Sequence, residues 1–217
     1  MADFERGRAQ MVESQLRAEG VTDAPILARM GAIAREDFVA PGRRDFAYVD
    51  DIQWMDGRGH GRFLLPPVTL GKLIKLARVA DSDSVLDVGS ATGYSTAVIA
   101  GLAASAVGLE RDARLSELAA SNLARLGLNN VRTVKGGIES VASDRFDVIV
   151  VQGRLPAIPD GFFTLLKDSG RLVALVGAGA VAVATVYSKS GGRISVRSDF
   201  SASVPLLEQQ ADEAFVF

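Results

Sequence analysis

The chain contains no cysteine in its 217 residues and only one histidine, His60. Without cysteine there are no disulfide bonds, no thiol nucleophile and no thiolate metal ligand. A single histidine cannot build a multi-histidine metal centre, so the sequence predicts no metal site. We therefore expect chemistry that depends on a bound organic cofactor.

Neither sign of charge dominates, because 24 lysines and arginines face 26 acidic residues and the formal net charge is −2. The sequence thus lacks the basic footprint of a nucleic-acid-binding protein. No apolar run reaches the length of a membrane span, since the stretch from Leu172 to Tyr187 is interrupted by glycines. Met1 to Arg8 is charged and lacks the apolar core of an export signal. We expect a cytoplasmic protein with no nucleic-acid or membrane partner.

The most informative stretch runs from Ser84 to Tyr94, where a short apolar strand is followed by a glycine turn and the start of a helix. Gly89 can adopt backbone angles that a side chain forbids, and it lets a ligand approach the main chain. The first turn of a helix offers free N–H groups. At the carboxyl edge of a parallel sheet, this combination predicts a nucleotide-type ligand site. Asp87, just before the turn, disfavours a pyrophosphate and is compatible with a cationic sulfonium.

A second acid supports this prediction. The next strand, Ser105 to Glu110, ends in a carboxylate 21 residues after Gly89. A dinucleotide-type fold places an acid at about this spacing to bind ribose hydroxyls. The alternative is a purely structural turn with a solvated Glu110. We favour the ligand site because turn, helix and strand-end acid occur together.

Hydrophobic periodicity predicts a mostly parallel sheet that ends in an antiparallel pair. The predicted helices are Asp3–Glu19, a second helix from Thr22 or Asp23, Pro67–Ala80, Tyr94–Ala103, Asp112–Gly127 and Asp160–Lys167. The predicted strands are Val85–Val88, Ser105–Glu110, Val131–Val134, Phe146–Val151, Arg171–Val176, the hairpin Ala180–Tyr187 and Arg193–Phe200, and a final Ala214–Phe217.

The glycine-rich stretch from Tyr48 to Pro67 is the least regular part of the sequence. Long irregular connections are often binding loops, and the alternative is a disordered surface loop. The apolar side chains of Trp54 and Phe63 argue against disorder because their area needs a partner. His60 is a candidate base, although a solvated bystander is the more common role for a loop histidine.

Taken together, these motifs resemble the protein-L-isoaspartate O-methyltransferase family of the class I S-adenosylmethionine-dependent methyltransferases. The resemblance implies a Rossmann-like α/β sheet with helices on both faces. It also implies N-terminal helices and a substrate-side loop over residues 1–66, and a cofactor-binding core over 67–217. The segments that carry it, in order along nearly the whole chain, are Gln15–Arg17, Arg35–Val39, Gly61–Leu73, Val85–Ala97, Phe146–Val151, Ile158–Pro159, Leu172–Gly177 and Val204–Leu206.

The resemblance also implies a function and a set of site residues. The expected reaction is methyl transfer from S-adenosyl-L-methionine, leaving S-adenosyl-L-homocysteine, to L-isoaspartyl carboxylates of damaged proteins or peptides. The expected state is a monomer or weak homodimer. The implied cofactor residues are Asp87, Gly89, Ser90, Gly93 and Tyr94 at the methionine end, Glu110 on the ribose, Arg111, Gly137 and Ile138 near the adenine, and Gln152 facing the methyl group.

Several positions depart from the family pattern. Leu65, preceded by Phe63 and Leu64, stands where the family carries a substrate-side hydroxyl. Ala91 replaces the middle glycine of the turn, and Gly137 replaces the acid that accepts from the adenine amine.

These departures leave the acceptor and the catalytic residues open. A carboxylate acceptor is already anionic and needs no base, so no catalytic residue follows from chemistry. Arg62 and Arg154 are candidates to bind an acidic acceptor. The alternatives are a family member with another acceptor because of Leu65, a nicotinamide enzyme, which Asp87 disfavours, and a non-catalytic binding module.

Overall fold

The computed structural model describes residues 3–56 and 61–207 of the chain. The N-terminal part contains α1 (Phe4–Gln10), which continues as a π-helical turn (Met11–Leu16), α2 (Ala24–Ala32), 3-10 turns at Arg35–Asp37 and Pro41–Phe46, and the strands β1 (Gln53–Trp54) and β2 (Phe63–Leu64). The rest contains α3 (Pro67–Ala77), β3 (Ser84–Val88), α4 (Tyr94–Ala100), β4 (Ser105–Glu110), α5 (Ala113–Arg125), β5 (Val131–Lys135), a 3-10 turn (Ile138–Val141), β6 (Phe146–Leu155), α6 (Gly161–Leu165), β7 (Leu166–Val176), β8 (Ala182–Ser190) and β9 (Arg193–Ala202).

Seven strands form one sheet in the order β5-β4-β3-β6-β7-β8-β9. The first five run parallel, and β8 is antiparallel to both β7 and β9. The order of the parallel strands reverses between β3 and β6, and such a switch point opens a crevice beyond the carboxyl ends of the strands. The predicted fold class, with its antiparallel C-terminal pair, is confirmed.

Alternation along the strands supplies the core on both faces of the sheet. In β3, Val85 belongs to the apolar cluster shared with α2, α3 and α4, whereas Leu86 belongs to the cluster shared with α6. The neighbouring strands β4, β3 and β6 are apolar because helices cover both faces of a parallel sheet. The N-terminal helices share the first cluster with α3. The division at residue 66 stays a prediction.

Helix ends follow local side-chain chemistry. Asp23, one of the two predicted starts of the second helix, is the N-cap of α2 and accepts a hydrogen bond from the backbone N–H of Ile26 at 3.4 Å, which satisfies one of the free donors of α2. Asp112 caps α5 in the same way, accepting from Leu115 N at 2.9 Å. The predicted third helix ends three residues early, at Ala77, because Arg78 adopts a left-handed backbone with φ 49°.

The helix predicted over Asp160–Lys167 needs correction. The helix covers only Gly161–Leu165, and β7 already begins at Leu166. Leu166 pairs with Phe146, and the next pair joins Arg171 to Val148. The residues between them form an irregularity within β7. A bulged strand of this kind does not show a simple alternation in sequence.

Two further differences concern strand ends. The predicted fourth strand extends beyond Val151 to Leu155, because Arg154 and Leu155 pair with β7 after a second irregularity. The predicted irregular stretch contains a short ribbon of β1 and β2, in which the rings of Trp54 and Phe63 lie 5.3 Å apart. The predicted final strand Ala214–Phe217 and the candidate base His60 lie outside the described residues. No helix within the described ranges is long and apolar enough to cross a membrane.

Candidate cofactor and acceptor site

Three polar side chains converge at the carboxyl ends of neighbouring strands. Asp87 of β3, Glu110 of β4 and Gln152 of β6 are exposed to 0%, 1% and 4% of their surface. Charged groups are rarely buried to this degree unless they are paired or functional. The sequence named all three as site residues, and the strand order brings them to one edge of the sheet.

Asp87 is held by three side-chain donors. Its Oδ2 accepts from Ser95 Oγ and Thr96 Oγ1, both at 2.6 Å, and its Oδ1 accepts from Gln152 Nε2 at 2.7 Å. Burial raises the pKa of Asp87 above its ordinary value, and the three hydrogen bonds act in the opposite direction. The carboxylate thereby links β3, β6 and the first turn of α4. The hydroxyls of Ser95 and Thr96 had no assigned partner in the sequence analysis.

The turn after β3 has a left-handed backbone at Gly89, Ala91 and Gly93, with φ values of 81°, 47° and 93°. Ala91 thus adopts a backbone conformation that glycine takes more readily than alanine. A Cβ atom on Gly89 would lie 2.4 Å from both Arg62 Nη2 and Leu207 Cδ1. The buried hydroxyl of Ser90 has no hydrogen-bond partner among the described residues. The turn from Gly89 to Gly93 thus forms a cradle with no room for a side chain at Gly89. Such a cradle, together with an unpaired hydroxyl, is typical of a ligand site.

Glu110 accepts four hydrogen bonds. Its Oε2 accepts from Ala91 N at 2.8 Å and from Arg62 Nε and Nη2 at 3.1 and 3.0 Å, and its Oε1 accepts from Asp112 N at 3.0 Å. The acid thus fastens the glycine turn to the end of β4. Arg62 comes from the N-terminal side of β2, 48 residues away in the chain. Nothing in the sequence linked Arg62 to Glu110.

The predicted adenine-side residues also lie together. A Cβ atom on Gly137 would lie 2.6 Å from Arg111 Nη2 and 2.4 Å from Glu139 Oε2. Ile138 begins the 3-10 turn that follows. Glu139 accepts from Gly137 N at 3.0 Å, so a carboxylate lies beside the position where the family's acid is absent. Glu139 was not predicted as a site residue, because it follows the matched position by two residues.

The substrate-side segment, Phe63 to Leu65, lies against the predicted cofactor residues. Phe63, Leu64 and Leu65 are all buried. The predicted cofactor and substrate sides meet at one small cavity. Its lining includes Phe63, Leu64, Leu65, Gly89, Ser90, Tyr94, Gln152 and Arg35.

Arg35 was not predicted as a site residue, and it is fully buried. It donates from Nε to Ala47 O at 2.8 Å and from Nη2 to Leu65 O at 2.7 Å. Its guanidinium carbon lies 4.6 Å from the ring centroid of Tyr94. Arg35 thereby fixes the backbone of the segment that faces the cavity.

Arg154 was predicted as a candidate acceptor-binding residue. Its guanidinium donates to the carbonyls of Val204 and Gly177, at 3.1 and 3.0 Å. Its backbone carbonyl accepts from Leu207 N at 2.9 Å. Arg154 therefore fastens the segment that carries Leu207 over the glycine turn. Its role toward an acceptor stays a prediction.

We expect Gly89→Ala to weaken binding of S-adenosylhomocysteine by about 10-fold or more, or about 1.4 kcal/mol. The added methyl group would enter the cradle at φ 81°, where Arg62 and Leu207 already lie at 2.4 Å. Gly20→Ala is the matched control, because Gly20 has φ 84° and nothing lies within 4 Å of its Cβ position. Calorimetric titration of both variants, with melting temperatures, separates the two effects. Equal loss of affinity in both variants would contradict a ligand site at Gly89.

The fold and site together define a class I methyltransferase. They combine a parallel sheet whose strand order reverses, a glycine turn between two strand-end acids, and helices on both faces. The sequence model of the family "Protein-L-isoaspartate(D-aspartate) O-methyltransferase (PCMT)" matches residues 7–211. The chain belongs to this family, whose members are S-adenosylmethionine-dependent O-methyltransferases.

Individual relatives agree with this assignment. The chain is 34% identical to a protein-L-isoaspartate O-methyltransferase of Koribacter versatilis, over 97% of this chain and 95% of the relative. It is 32% identical to protein-L-isoaspartate O-methyltransferase 1 of Rhodopseudomonas palustris, over 98% of this chain and 86% of the relative.

Solved structures show the same fold. A Plasmodium falciparum protein described as a protein-L-isoaspartate O-methyltransferase, in complex with S-adenosyl-L-homocysteine, superposes with a TM-score of 0.79 at 21% identity, covering 94% of this chain and 99% of that one. A second protein-L-isoaspartate O-methyltransferase superposes with a TM-score of 0.78 at 23% identity, covering 92% of this chain and 65% of that one.

The residues present fit S-adenosylmethionine. Glu110 has carboxylate oxygens that could accept from ribose hydroxyls, and the Ser90 hydroxyl has no hydrogen-bond partner among the described residues. The acid Asp87 suits a cofactor with a cationic sulfonium and an amino group. Within residues 3–56 and 61–207, no three acidic or histidine side chains are grouped so that they would hold a metal ion.

Proposed function

We propose that this protein methylates the carboxylate of L-isoaspartyl residues in peptides or damaged proteins. The observation that carries the proposal is the shared cavity, where the glycine turn after β3 meets the segment that ends at Leu65. A methyl donor on the turn would face an acceptor on that segment. Family membership over residues 7–211 supports the same reaction.

The chain contributes binding and orientation. The bound cofactor supplies an electrophilic methyl group on a sulfonium. Glu110 holds the ribose side, Asp87 with Gln152 sets the carboxyl end of β3 and β6, and Phe63 with Leu65 keeps water from the reacting atoms. The acceptor carboxylate is already an anion, so no side chain has to remove a proton. Orientation of this kind contributes up to about 7–11 kcal/mol to lowering a barrier.

The alternative of a family member with another acceptor depends on Leu65, which replaces the hydroxyl. It is the less supported proposal, because the relatives compared above are named protein-L-isoaspartate O-methyltransferases and match nearly the whole chain. A nicotinamide enzyme is disfavoured by the buried Asp87 at the turn. A non-catalytic binding module would bind cofactor weakly and form no product with any peptide.

We further infer that the protein acts in the cytoplasm as a monomer or weak homodimer. Light scattering over a range of protein concentrations tests the oligomeric state.

The function is tested by two measurements on the same preparation. S-adenosylmethionine and S-adenosylhomocysteine are titrated by calorimetry, and methyl transfer to a synthetic isoaspartyl peptide is then followed. The proposal predicts binding of both ligands and turnover. Binding without turnover would support another acceptor, and absence of binding would contradict a cofactor enzyme.

Leu65→Ser is expected to raise kcat/KM for an isoaspartyl peptide by about 3- to 10-fold, since one hydrogen bond contributes about 0.5–1.5 kcal/mol net. Leu27→Ser is the matched control, because Leu27 of α2 is buried outside this cavity. The side chains of Leu65 and Leu27 are 2% and 3% exposed, so both variants lose comparable apolar burial. No gain in Leu65→Ser with cofactor binding intact would contradict a hydroxyl role at this position.

A further inference from the structure

Arg62 occupies the space in front of the glycine turn. Its guanidinium donates two hydrogen bonds to Glu110 Oε2, at 3.0 and 3.1 Å, and a third to the carbonyl of Leu207. The Arg62 side chain is 15% exposed and that of Glu110 is 1% exposed. The ion pair is thus largely removed from water. Hydrogen bonds between charged groups are stronger than those between neutral groups.

This pair competes with the cofactor for the same atoms. Glu110 Oε2 already accepts from Ala91 N and twice from Arg62. An oxygen with three donors has no lone pair left for a ribose hydroxyl, so only Oε1, which accepts from Asp112 N, remains open to the ribose. The Nη2 atom of Arg62 also lies 2.4 Å from the Cβ position of Gly89, inside the predicted cradle. The Arg62 side chain must leave Glu110 before this site is complete.

The backbone of Arg62 is held by a contact that does not involve its side chain. Its carbonyl accepts from Met55 N at 2.9 Å, which fastens it to the ribbon of β1 and β2. The next residues are Phe63 to Leu65, which line the cavity. A displaced guanidinium is therefore tethered beside the substrate-side segment.

Arg35 and Arg154, two further arginines of this region, already donate to backbone carbonyls. Arg35 donates to those of Ala47 and Leu65, which leaves only its Nη1 without a hydrogen-bond partner among the described residues, and Arg154 donates to those of Val204 and Gly177. An acceptor carboxylate that enters an apolar cavity needs a cationic or hydrogen-bonding partner. Leu65 supplies no hydroxyl for that purpose, whereas a released Arg62 offers a planar fork that matches a carboxylate.

We propose that Arg62 has two partners in turn: Glu110 in the cofactor-free protein, and the acceptor's carboxylate once the ribose has taken Glu110. The inference rests on the proposed function for its second partner only. Arg62 is thus a specificity-determining residue that replaces the family's hydroxyl and makes the acceptor site depend on bound cofactor.

The test compares Arg62→Gln with the wild-type protein. Titration of S-adenosylhomocysteine alone is expected to show at least about 3-fold tighter binding, since removing a competing charged hydrogen bond frees Glu110. With saturating S-adenosylmethionine, the KM for an isoaspartyl peptide is expected to rise about 10-fold or more, while kcat changes little. Arg62→Lys keeps the charge without the fork and is expected to give an intermediate KM.

Arg197→Gln is the control for loss of one arginine. Arg197 lies on β9 at the far edge of the sheet, pairs with Asp199 and has a 55% exposed side chain. It is expected to leave both the affinity and the KM unchanged. Unchanged or weaker S-adenosylhomocysteine binding in Arg62→Gln would overturn the competition with Glu110. An unchanged KM would overturn the acceptor role.

The two proposals fail separately. If the wild-type protein methylates no isoaspartyl peptide, the proposed function is wrong, and the acceptor role of Arg62 falls with it. The titration of S-adenosylhomocysteine needs no acceptor, so it still decides whether Arg62 competes for Glu110.

Discussion

Glu110→Ala is expected to weaken binding of S-adenosylhomocysteine by about 100-fold, or about 2.7 kcal/mol. The carboxylate lies at the end of β4 with 1% exposure, and hydrogen bonds to a buried charged group contribute about 1.5–3 kcal/mol each. Two such bonds to ribose hydroxyls exceed the expected loss. The expected loss is smaller than this sum because, in the variant, the ligand no longer has to break the hydrogen bonds between Arg62 and Glu110.

Glu110 also accepts from the backbone N–H groups of Ala91 and Asp112, so a change in folding must be separated from a change in affinity. Glu110→Gln keeps an acceptor for these groups and is expected to lose less affinity. Glu117→Ala removes an exposed acid of α5 and is expected to change nothing. Retained affinity in a folded Glu110→Ala protein would contradict the ribose role.

Arg35→Ala is expected to lower the free energy of unfolding by about 3–5 kcal/mol. The substitution leaves the carbonyls of Ala47 and Leu65 without their donors in a buried setting, at about 1–3 kcal/mol each. It also removes the cation–π contact with Tyr94, at 4.6 Å, and leaves a cavity where a fully buried side chain lay. For a chain of this size, the melting temperature is expected to fall by about 10 °C.

Arg35→Lys tests whether charge alone is sufficient. Burial lowers the pKa of Arg35, and a buried lysine loses its proton far more readily than an arginine, besides lacking the planar fork. We therefore expect Arg35→Lys to lose most of the same stability. Arg17→Ala, which removes an exposed partner of Glu13, is expected to cost less than about 0.5 kcal/mol. A melting temperature of Arg35→Ala near that of Arg17→Ala would contradict the structural role.

The sequence predicted the strands that carry the site more accurately than the chain around them. The predicted strand Ser105–Glu110 is confirmed to the residue, and the predicted strand Val85–Val88 falls within β3. Buried parallel strands are short apolar runs bounded by turn residues, so their ends are visible in the sequence. The bulged part of β7 has no such signature, because Ser169 is left-handed with φ 66° and the alternation is broken there.

Long-range polar contacts account for most of what the sequence did not predict. Arg35 lies in one of the segments that carry the family resemblance, and nothing in the sequence marked its side chain as fully buried, because arginine is usually exposed. The ion pair of Arg62 with Glu110 joins residues 48 positions apart. Periodicity describes neighbours along one element, whereas these contacts depend on how elements pack.

The most direct test of the account is methyl transfer to two synthetic peptides of one sequence that differ only in an isoaspartyl or an ordinary aspartyl linkage. Both are assayed with wild-type protein and S-adenosylmethionine, and the release of S-adenosylhomocysteine is measured. The proposed function predicts one equivalent released per methyl ester formed on the isoaspartyl peptide, and little or none with the aspartyl peptide. Cofactor binding without methylation of the isoaspartyl peptide, or equal rates on both peptides, would contradict it.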